Sequence, residues 1–192
     1  MVIVLRLFSE ALGSFLTSSL SHLPEKPVVS FALPGGVSGR HALSLFLCSL
    51  GEDSDLRSHE KQYLRDGLDW VSVPPPLRLK CTYVVSAWPD GDASGESALV
   101  QHGLLSAAFS LLVSVDTLPL ACLPASFLEP GVPQPRIVIA EDQLSQSPLF
   151  WRSVGCLFRP AFSVAATVSL PSRSESPEYL VESVLTDYKF GS

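Results

Sequence analysis

The fold is decided by the stretch PPPLRLKCTYVVSAWP, residues 74–89. After the prolines, apolar side chains alternate with side chains that are charged at first and amphipathic later. A period of two over this length predicts a β-strand with one face buried. The three prolines cannot join a hydrogen-bonded ladder and give the strand an extended entry. The predicted core-facing residues are Leu77, Leu79, Cys81, Tyr83, Val85 and Ala87.

A long apolar helix is predicted directly after this strand, over residues 94–115. The segment Asp90-Gly91-Asp92 between them indicates a turn and a helix N-cap, since no glutamate follows at the spacing of a calcium loop. Gly103 lies in the middle of the helix, where glycine costs about 1 kcal/mol relative to alanine. The predicted inward face comprises Leu99, Leu105, Ala108, Phe109, Leu112 and Val113.

The other elements follow from the same two periodicities. Residues 35–40, GGVSGR, lack the lysine of a phosphate-binding loop and favour a hairpin-like connection. Residues 51–73 form a long charged insertion between two strands. The short third helix is predicted from residues typical of helix ends: Ser147 as N-cap, Pro148 in the first turn and Gly155 past the end. Helices are predicted over residues 1–20 and 147–155, and strands over 28–33, 42–50, 135–140 and 159–170.

This order of elements predicts an α+β fold with a mixed or antiparallel sheet and helices packed on one face. We expect one domain over residues 1–171. Residues 171–177, PSRSESP, have the composition of a linker. Residues 172–192 therefore form an extended C-terminal arm, whose β-prone part, 179–190, has no evident place in the domain.

Composition excludes several classes of protein. The chain is 46% hydrophobic and 17% charged, with a formal net charge of −6, so we expect neither a disordered chain nor a binder of nucleic acid. The apolar runs are short, and we expect no membrane insertion and no signal peptide. The four cysteines are far apart, which favours buried free thiols in a reducing compartment over disulfides or a metal site.

No constellation in the sequence indicates catalysis. The four histidines lack metal-ligand spacing, no nucleophile motif occurs, and no cysteine stands beside an activating histidine. The acidic residues are concentrated in the insertion, where solvated charge is the ordinary explanation. From the residues alone we expect a binding or assembly domain with no cofactor, no metal and no enzymatic activity.

The succession of segments resembles the N-terminal domain of tail-cap proteins, the tail terminators of contractile injection systems of the antifeeding-prophage and virulence-cassette kind. The resemblance covers about residues 1–171 and rests mostly on two patterns. The first is PPL-x-L-x-x-x-Y, residues 75–83, and the second is L-x-x-S-P-L-F-W, residues 144–151.

The resemblance implies a structural protein that forms a sixfold ring at the distal end of the inner tube and sheath, ends polymerisation and stabilises the extended sheath. Its partners would be further copies of itself, the sheath protein and the inner tube protein. It would assemble in the bacterial cytoplasm and then belong to a phage-tail-like particle. Two alternatives stay open: a tail-completion protein that joins a contractile phage tail to its head, and a domain that binds a small molecule.

Two sets of contact residues follow from these expectations. The arm is expected to add as a strand to a sheath subunit or a neighbouring cap subunit. The insertion is expected to face the tube or a neighbouring subunit. The arm residues are Tyr179, Val181, Val184, Leu185 and Tyr188, and the insertion residues are Asp53, Asp55, Arg57, Lys61 and Arg65.

Overall fold

The computed structural model describes most of the chain. For residues 62–66, 69–73 and 178–179 only the backbone and its pairing are described. The other described ranges are 4–34, 40–56, 75–91, 94–128, 132–140 and 145–170.

The described residues form three α-helices and eight strands, with short 3-10 turns between some of them. The helices are α1 (Val4–Ser19), α2 (Gly95–Val113) and α3 (Pro148–Ser153). The strands are β1 (Val28–Ser30), β2 (Ala42–Glu52), β3 (Gln62–Asp66), β4 (Asp69–Val73), β5 (Leu77–Trp88), β6 (Arg136–Ala140), β7 (Ala161–Leu170) and β8 (Glu178–Tyr179).

The main sheet has five strands in the order β1-β2-β5-β7-β6. The predicted organising strand, β5, lies at its centre and pairs antiparallel with both β2 and β7. Strand β1 pairs parallel with β2, with Val28 opposite Ala42. The sheet is therefore mixed, as predicted, but the expected hairpin-like connection between β1 and β2 is wrong, because a hairpin joins antiparallel strands.

One face of the sheet carries the main core. Cys81, Tyr83, Val85 and Ala87 of β5 are all buried there. The predicted apolar stripe of α1 covers one part of this face, and Phe8 of α1 packs its ring 6.4 Å from that of Tyr83. Helix α2 covers another part, and the irregular segment after α2 adds further apolar side chains. These are Leu118, Leu123 and Phe127.

The two long helices share this face, but α3 lies on the opposite one. The ring of Phe150 in α3 is 6.2 Å from that of Phe46 in β2, and Trp151 is fully buried. Val84 and Ser86, which lie on the same face of β5, are fully buried, so both faces of β5 are covered near its C-terminal end.

The predicted inward face of α2 is partly wrong. The buried residues of this helix are Gln101, Leu104, Ala108 and Leu112, whereas Leu99, Phe109 and Val113 are exposed. Because α2 is apolar around almost its whole circumference, its hydrophobic periodicity could not reveal which side faces the sheet. The turn before α2 is confirmed by Gly91, whose φ is 93°. The N-cap, however, is Ser94, which forms a capping box with Ser97.

Candidate assembly surfaces

The beginning of the arm pairs within its own chain. Strand β8 lies antiparallel to β4, with Tyr179 opposite Val71 and Glu178 opposite Ser72. Together with β3 these strands make a second, three-stranded sheet in the order β3-β4-β8. The expectation that the arm has no partner in its own chain is therefore wrong at these two residues. The remaining arm residues of the predicted set lie outside the described part of the chain: Val181, Val184, Leu185 and Tyr188.

The predicted insertion is a β-hairpin rather than an irregular loop. Strands β3 and β4 pair along their whole length, and Arg65 of β3 lies opposite Trp70. Asp55 is exposed in a 3-10 turn that precedes the hairpin. Arg57 and Lys61 lie outside the described residues.

Among the described residues 51–56, Asp53 is the buried one, with 8% of its surface exposed. Its Oδ2 accepts a hydrogen bond from Thr167 Oγ1 at 2.9 Å. Its backbone N–H donates to the carbonyl of Arg78 at 2.8 Å. Asp53 therefore ties the end of β2 to β5 and β7, which is a structural role within the chain.

The outward side of α2 is the first exposed apolar surface. Leu99, Phe109 and Val113 are 71%, 42% and 55% exposed, and Gly103 and Ser106 lie between them in the open. The sequence has no Asp, Glu, Lys or Arg between Glu96 and Asp116. Surface helices ordinarily carry charge on their outward side, so this α2 stripe is unusual for a side exposed to water.

Helix α2 also has the length and composition of a membrane span, and among the described residues it is the one helix that meets this test. Its inner side nevertheless packs on the sheet. Leu104, Ala108 and Leu112 are buried in the main core, and the Gln101 side chain donates a hydrogen bond to the carbonyl of Ala87 at 2.9 Å. These contacts fix α2 as a helix of the domain.

A second exposed apolar surface surrounds α3. Leu149 in the helix and Leu157 just after it are 76% and 85% exposed, and Phe158 is 57% exposed. The chain turns tightly at Gly155, whose φ is 76°, and Cys156 N–H donates to the carbonyl of Trp151 at 2.9 Å. This turn holds the residues after α3 against the helix. Leu149, Leu157 and Phe158 are called the α3 patch below.

An open cleft of about 440 Å³ lies between α1 and the first strands of the sheet. Its walls are mostly apolar, and Tyr83 lies among them, with its hydroxyl 2.8 Å from Ser9 Oγ. Arg6 and Glu10 form an exposed ion pair at 2.7 Å beside it. Burial raises the pKa of the neighbouring Cys81 thiol to about 11, so this thiol is protonated and unreactive at neutral pH.

The described residues do not bring together a catalytic or metal-binding group. No set of three or more His, Cys, Asp or Glu side chains among them is placed to hold a metal ion. The four cysteines are free thiols, but only Cys81 is buried, so the expected burial is wrong for Cys48, Cys122 and Cys156, which are half-buried. Chemically, these residues offer apolar surface, strand edges and hydrogen bonds, which are the means of protein–protein recognition.

The described residues thus form an α+β fold with two sheets and two exposed apolar surfaces. The comparison with protein families identifies it further. The family model of the Pvc16 N-terminal domain matches residues 8–181, which is most of the chain. The chain therefore belongs to the Pvc16 N-terminal domain family, and the resemblance drawn from its sequence is confirmed.

Two solved structures share this fold. One is the sheath/tube terminator of an extracellular contractile injection system, PVC, in the extended state, with a TM-score of 0.67 and 19% identity. The other is the tube-terminating cap of the anti-feeding prophage, with a TM-score of 0.64 and 21% identity. The matches cover 100% and 94% of this chain but only 65% and 60% of those chains. No curated protein gives a significant match.

Proposed function

We propose that this chain is a structural cap, without enzymatic activity, that ends the inner tube and sheath of a contractile injection system. The observation that carries the proposal is the family match over residues 8–181 together with the fold shared with two terminators. The exposed apolar surfaces support it, because a subunit of a particle buries surfaces that are open in the isolated chain.

The cap would act as a ring of identical subunits, and six is the number that matches the sixfold symmetry expected from the sequence resemblance. A closed ring uses the same contact repeatedly, so each subunit needs two different complementary surfaces. Native mass spectrometry of the purified chain, alone and with isolated tube ends, tests this. A hexamer is expected, and a chain that stays monomeric in both conditions would contradict it.

The arm would connect the cap to the sheath or to a neighbouring cap subunit. In this proposal residues 179–189 add as a strand to another chain's sheet, with Tyr179, Val181, Val184, Leu185 and Tyr188 as contacts. The described pairing of β8 with β4 places Tyr179 opposite Val71 and Glu178 opposite Ser72, so in this proposal the arm exchanges this partner for a strand of another chain on assembly. Truncation after residue 171 should leave a folded domain that binds tube but no longer attaches to sheath. Truncated caps that hold sheaths at the normal length would contradict the connector role.

The hairpin of β3 and β4 and the residues before it would contact the tube or a neighbouring subunit, with Asp55, Arg57, Lys61 and Arg65 as the candidate contacts. Replacement of residues 57–73 by a short Gly-Ser linker tests this while it keeps Asp53, which is needed inside the chain. The variant should fold and assemble poorly. Particles of normal yield and length would mean that the hairpin is not a contact.

The cleft beside α1 favours a second candidate function, the binding of a small apolar ligand. Its volume of about 440 Å³ is in the range of ligand pockets, which runs from roughly 300 to 1,000 Å³. A ligand screen by thermal shift tests it, with Tyr83→Phe as a control that removes the polar group of the cleft. Stabilisation of the wild type by a screened compound, in a chain that never forms rings, would favour this function over the cap.

A further inference from the structure

The side of α2 that faces away from the sheet contains a glycine that the chain itself does not need. Gly103 is exposed, and its φ is not among the positive values found at Gly91 and Gly155. A Cβ atom built on Gly103 would meet no described side chain or neighbouring backbone within 4 Å. Glycine inside a helix lowers helix stability relative to alanine. Neither conformation nor packing within the described residues accounts for it.

A glycine on a helix surface permits close approach of another chain. The residues around Gly103 fit this reading, because Leu99 and Val113 lie on the same side of the helix and are exposed, and Phe109 borders that side with its ring packed on Phe162 of β7. Ser106, one turn away, is also small and open. A groove with a low floor and apolar rims accepts large apolar side chains from a partner. No Asp, Glu, Lys or Arg lies between Ser97 and Val115, and the exposed His102 is the one ionisable side chain of this stretch, so apolar contact is the main means of recognition here.

The same chain carries a surface that complements this groove. The α3 patch consists of large apolar side chains, and Leu149 and Leu157 are more than three-quarters exposed. The α3 patch and α2 lie on opposite faces of the sheet. Helix α3 packs on Phe46 of β2, whereas Phe109 of α2 packs edge-on against Phe162 of β7, at 5.2 Å, on the other face. Two complementary surfaces on opposite sides of a subunit are what a head-to-tail contact requires.

We propose that the α2 groove, formed by Leu99, Gly103, Ser106, Phe109 and Val113, receives the α3 patch of a second copy. This inference rests on the proposed function, since it names the contact that would build the ring. The contact is heterologous, so it leaves one groove and one patch free in any open chain of subunits and fills all of them only when the ring closes.

Substitutions at the two glycines of α2 provide a matched test. Gly103→Leu fills the groove and should shift the full-length protein from rings to monomers in sedimentation velocity at equal concentration. Gly95→Ala, in the first turn of the same helix and also free of neighbours, should leave the rings intact. Thermal unfolding of both variants shows that each is folded. Rings of unchanged stability in Gly103→Leu would overturn the proposal.

A mixing experiment tests the pairing itself. Ser106→Cys and Leu149→Cys proteins are prepared separately and oxidised alone and together, with the wild-type protein as the control for its native thiols. A disulfide between the two chains is expected only in the mixture, and peptide mass spectrometry locates it. A Ser106→Cys protein that cross-links to itself, or a mixture without the heterologous disulfide, would overturn the proposal.

A vesicle-binding measurement and the assembly of the wild-type chain distinguish the remaining explanations of the α2 surface. Flotation of the wild type with phosphatidylcholine–phosphatidylglycerol vesicles, abolished by Leu99→Asp, would assign the α2 surface to membranes and overturn the proposal. If the wild type forms rings and caps tubes while Gly103→Leu does both equally well, only this contact is wrong. If the wild type never assembles, even with tube ends, the cap function fails as well.

Discussion

Two helical glycines give a quantitative prediction for the isolated domain. Gly13 in α1 and Gly103 in α2 both lie inside helices, but their surroundings differ. A Cβ on Gly13 would approach the ring of Phe31 to 2.9 Å at Cζ and 3.1 Å at Cε2, whereas a Cβ on Gly103 meets no described neighbour within 4 Å. The same Gly→Ala substitution should therefore have two different effects.

The expected changes in the free energy of unfolding follow from the helix propensity of alanine and from the contact between residue 13 and Phe31. Alanine gains about 0.5–1 kcal/mol over glycine in a helix interior, and Gly103→Ala should realise that gain. In a chain of this size 1 kcal/mol corresponds to about 2–4 °C in Tm. Gly13→Ala gains the same propensity but displaces Phe31. Each ~10 Å² of apolar contact that the displaced ring loses costs about 0.25 kcal/mol, so Gly13→Ala should stabilise the chain less than Gly103→Ala.

Urea unfolding followed by circular dichroism measures both variants under conditions in which the chain is monomeric. The double variant Gly13→Ala/Phe31→Ala supplies the control, because Gly13→Ala should become more stabilising once the ring is absent. Equal stabilisation by Gly13→Ala and Gly103→Ala would refute the reasoning. Destabilisation by Gly103→Ala in the monomer would show that Gly103 is needed inside the chain.

Three further predictions concern buried polar groups. Ser9→Ala leaves the Tyr83 hydroxyl without its 2.8 Å partner and should lower the free energy of unfolding by about 1–2 kcal/mol, more than Tyr83→Phe, by urea titration. Asp53→Ala removes the acceptor of Thr167 Oγ1 and should cost about 1–3 kcal/mol, whereas the exposed Asp55→Ala should have almost no effect. Burial raises the pKa of the Cys81 thiol from its ordinary value to about 11. The unfolded chain therefore loses this proton first, and stability should fall between about pH 9 and 11; a flat profile there would contradict the burial of the thiol.

The sequence predicted strand β5 well, because its six alternating apolar positions are typical of a strand. Cys81, Tyr83, Val85 and Ala87 are buried as predicted, whereas Leu77 is exposed, and Val84 and Ser86 on the opposite face are buried as well. The terminal helix α1 was equally clear, because its apolar residues are confined to one side. In both cases the local pattern and the tertiary environment agree on the side that forms the main core, so the pattern alone sufficed for that side.

The errors have physical causes in particular residues. The pairing of β1 with β2 depends on the path of the connection between them, which glycines leave undetermined. The orientation of α2 was missed because both of its sides are apolar, and only the packing of Leu104 and Leu112 against the sheet decides it. The pairing of Tyr179 with Val71 joins residues more than 100 positions apart, which no local pattern can reveal.

The candidate surfaces were only partly visible in the sequence. The charge of the insertion suggested an exposed loop, yet Asp53 within it is buried and bonded to Thr167. The α2 groove was not recognised in the sequence, because Leu99, Phe109 and Val113 are apolar and were therefore predicted to face the core. The charge-free run from Ser97 to Val115 was the signal that could have indicated a covered surface on both sides of the helix.

The most direct test of the account is the position of this chain on assembled particles. The full chain, carrying an N-terminal epitope, is co-produced with the sheath, inner tube and baseplate proteins of a contractile injection system, and the particles are imaged by electron microscopy with an antibody label. The account predicts label at one end of each particle, opposite the baseplate, and a narrow length distribution that broadens when the chain is omitted. Label along the shaft or at neither end, with lengths unchanged by omission, would contradict the cap function.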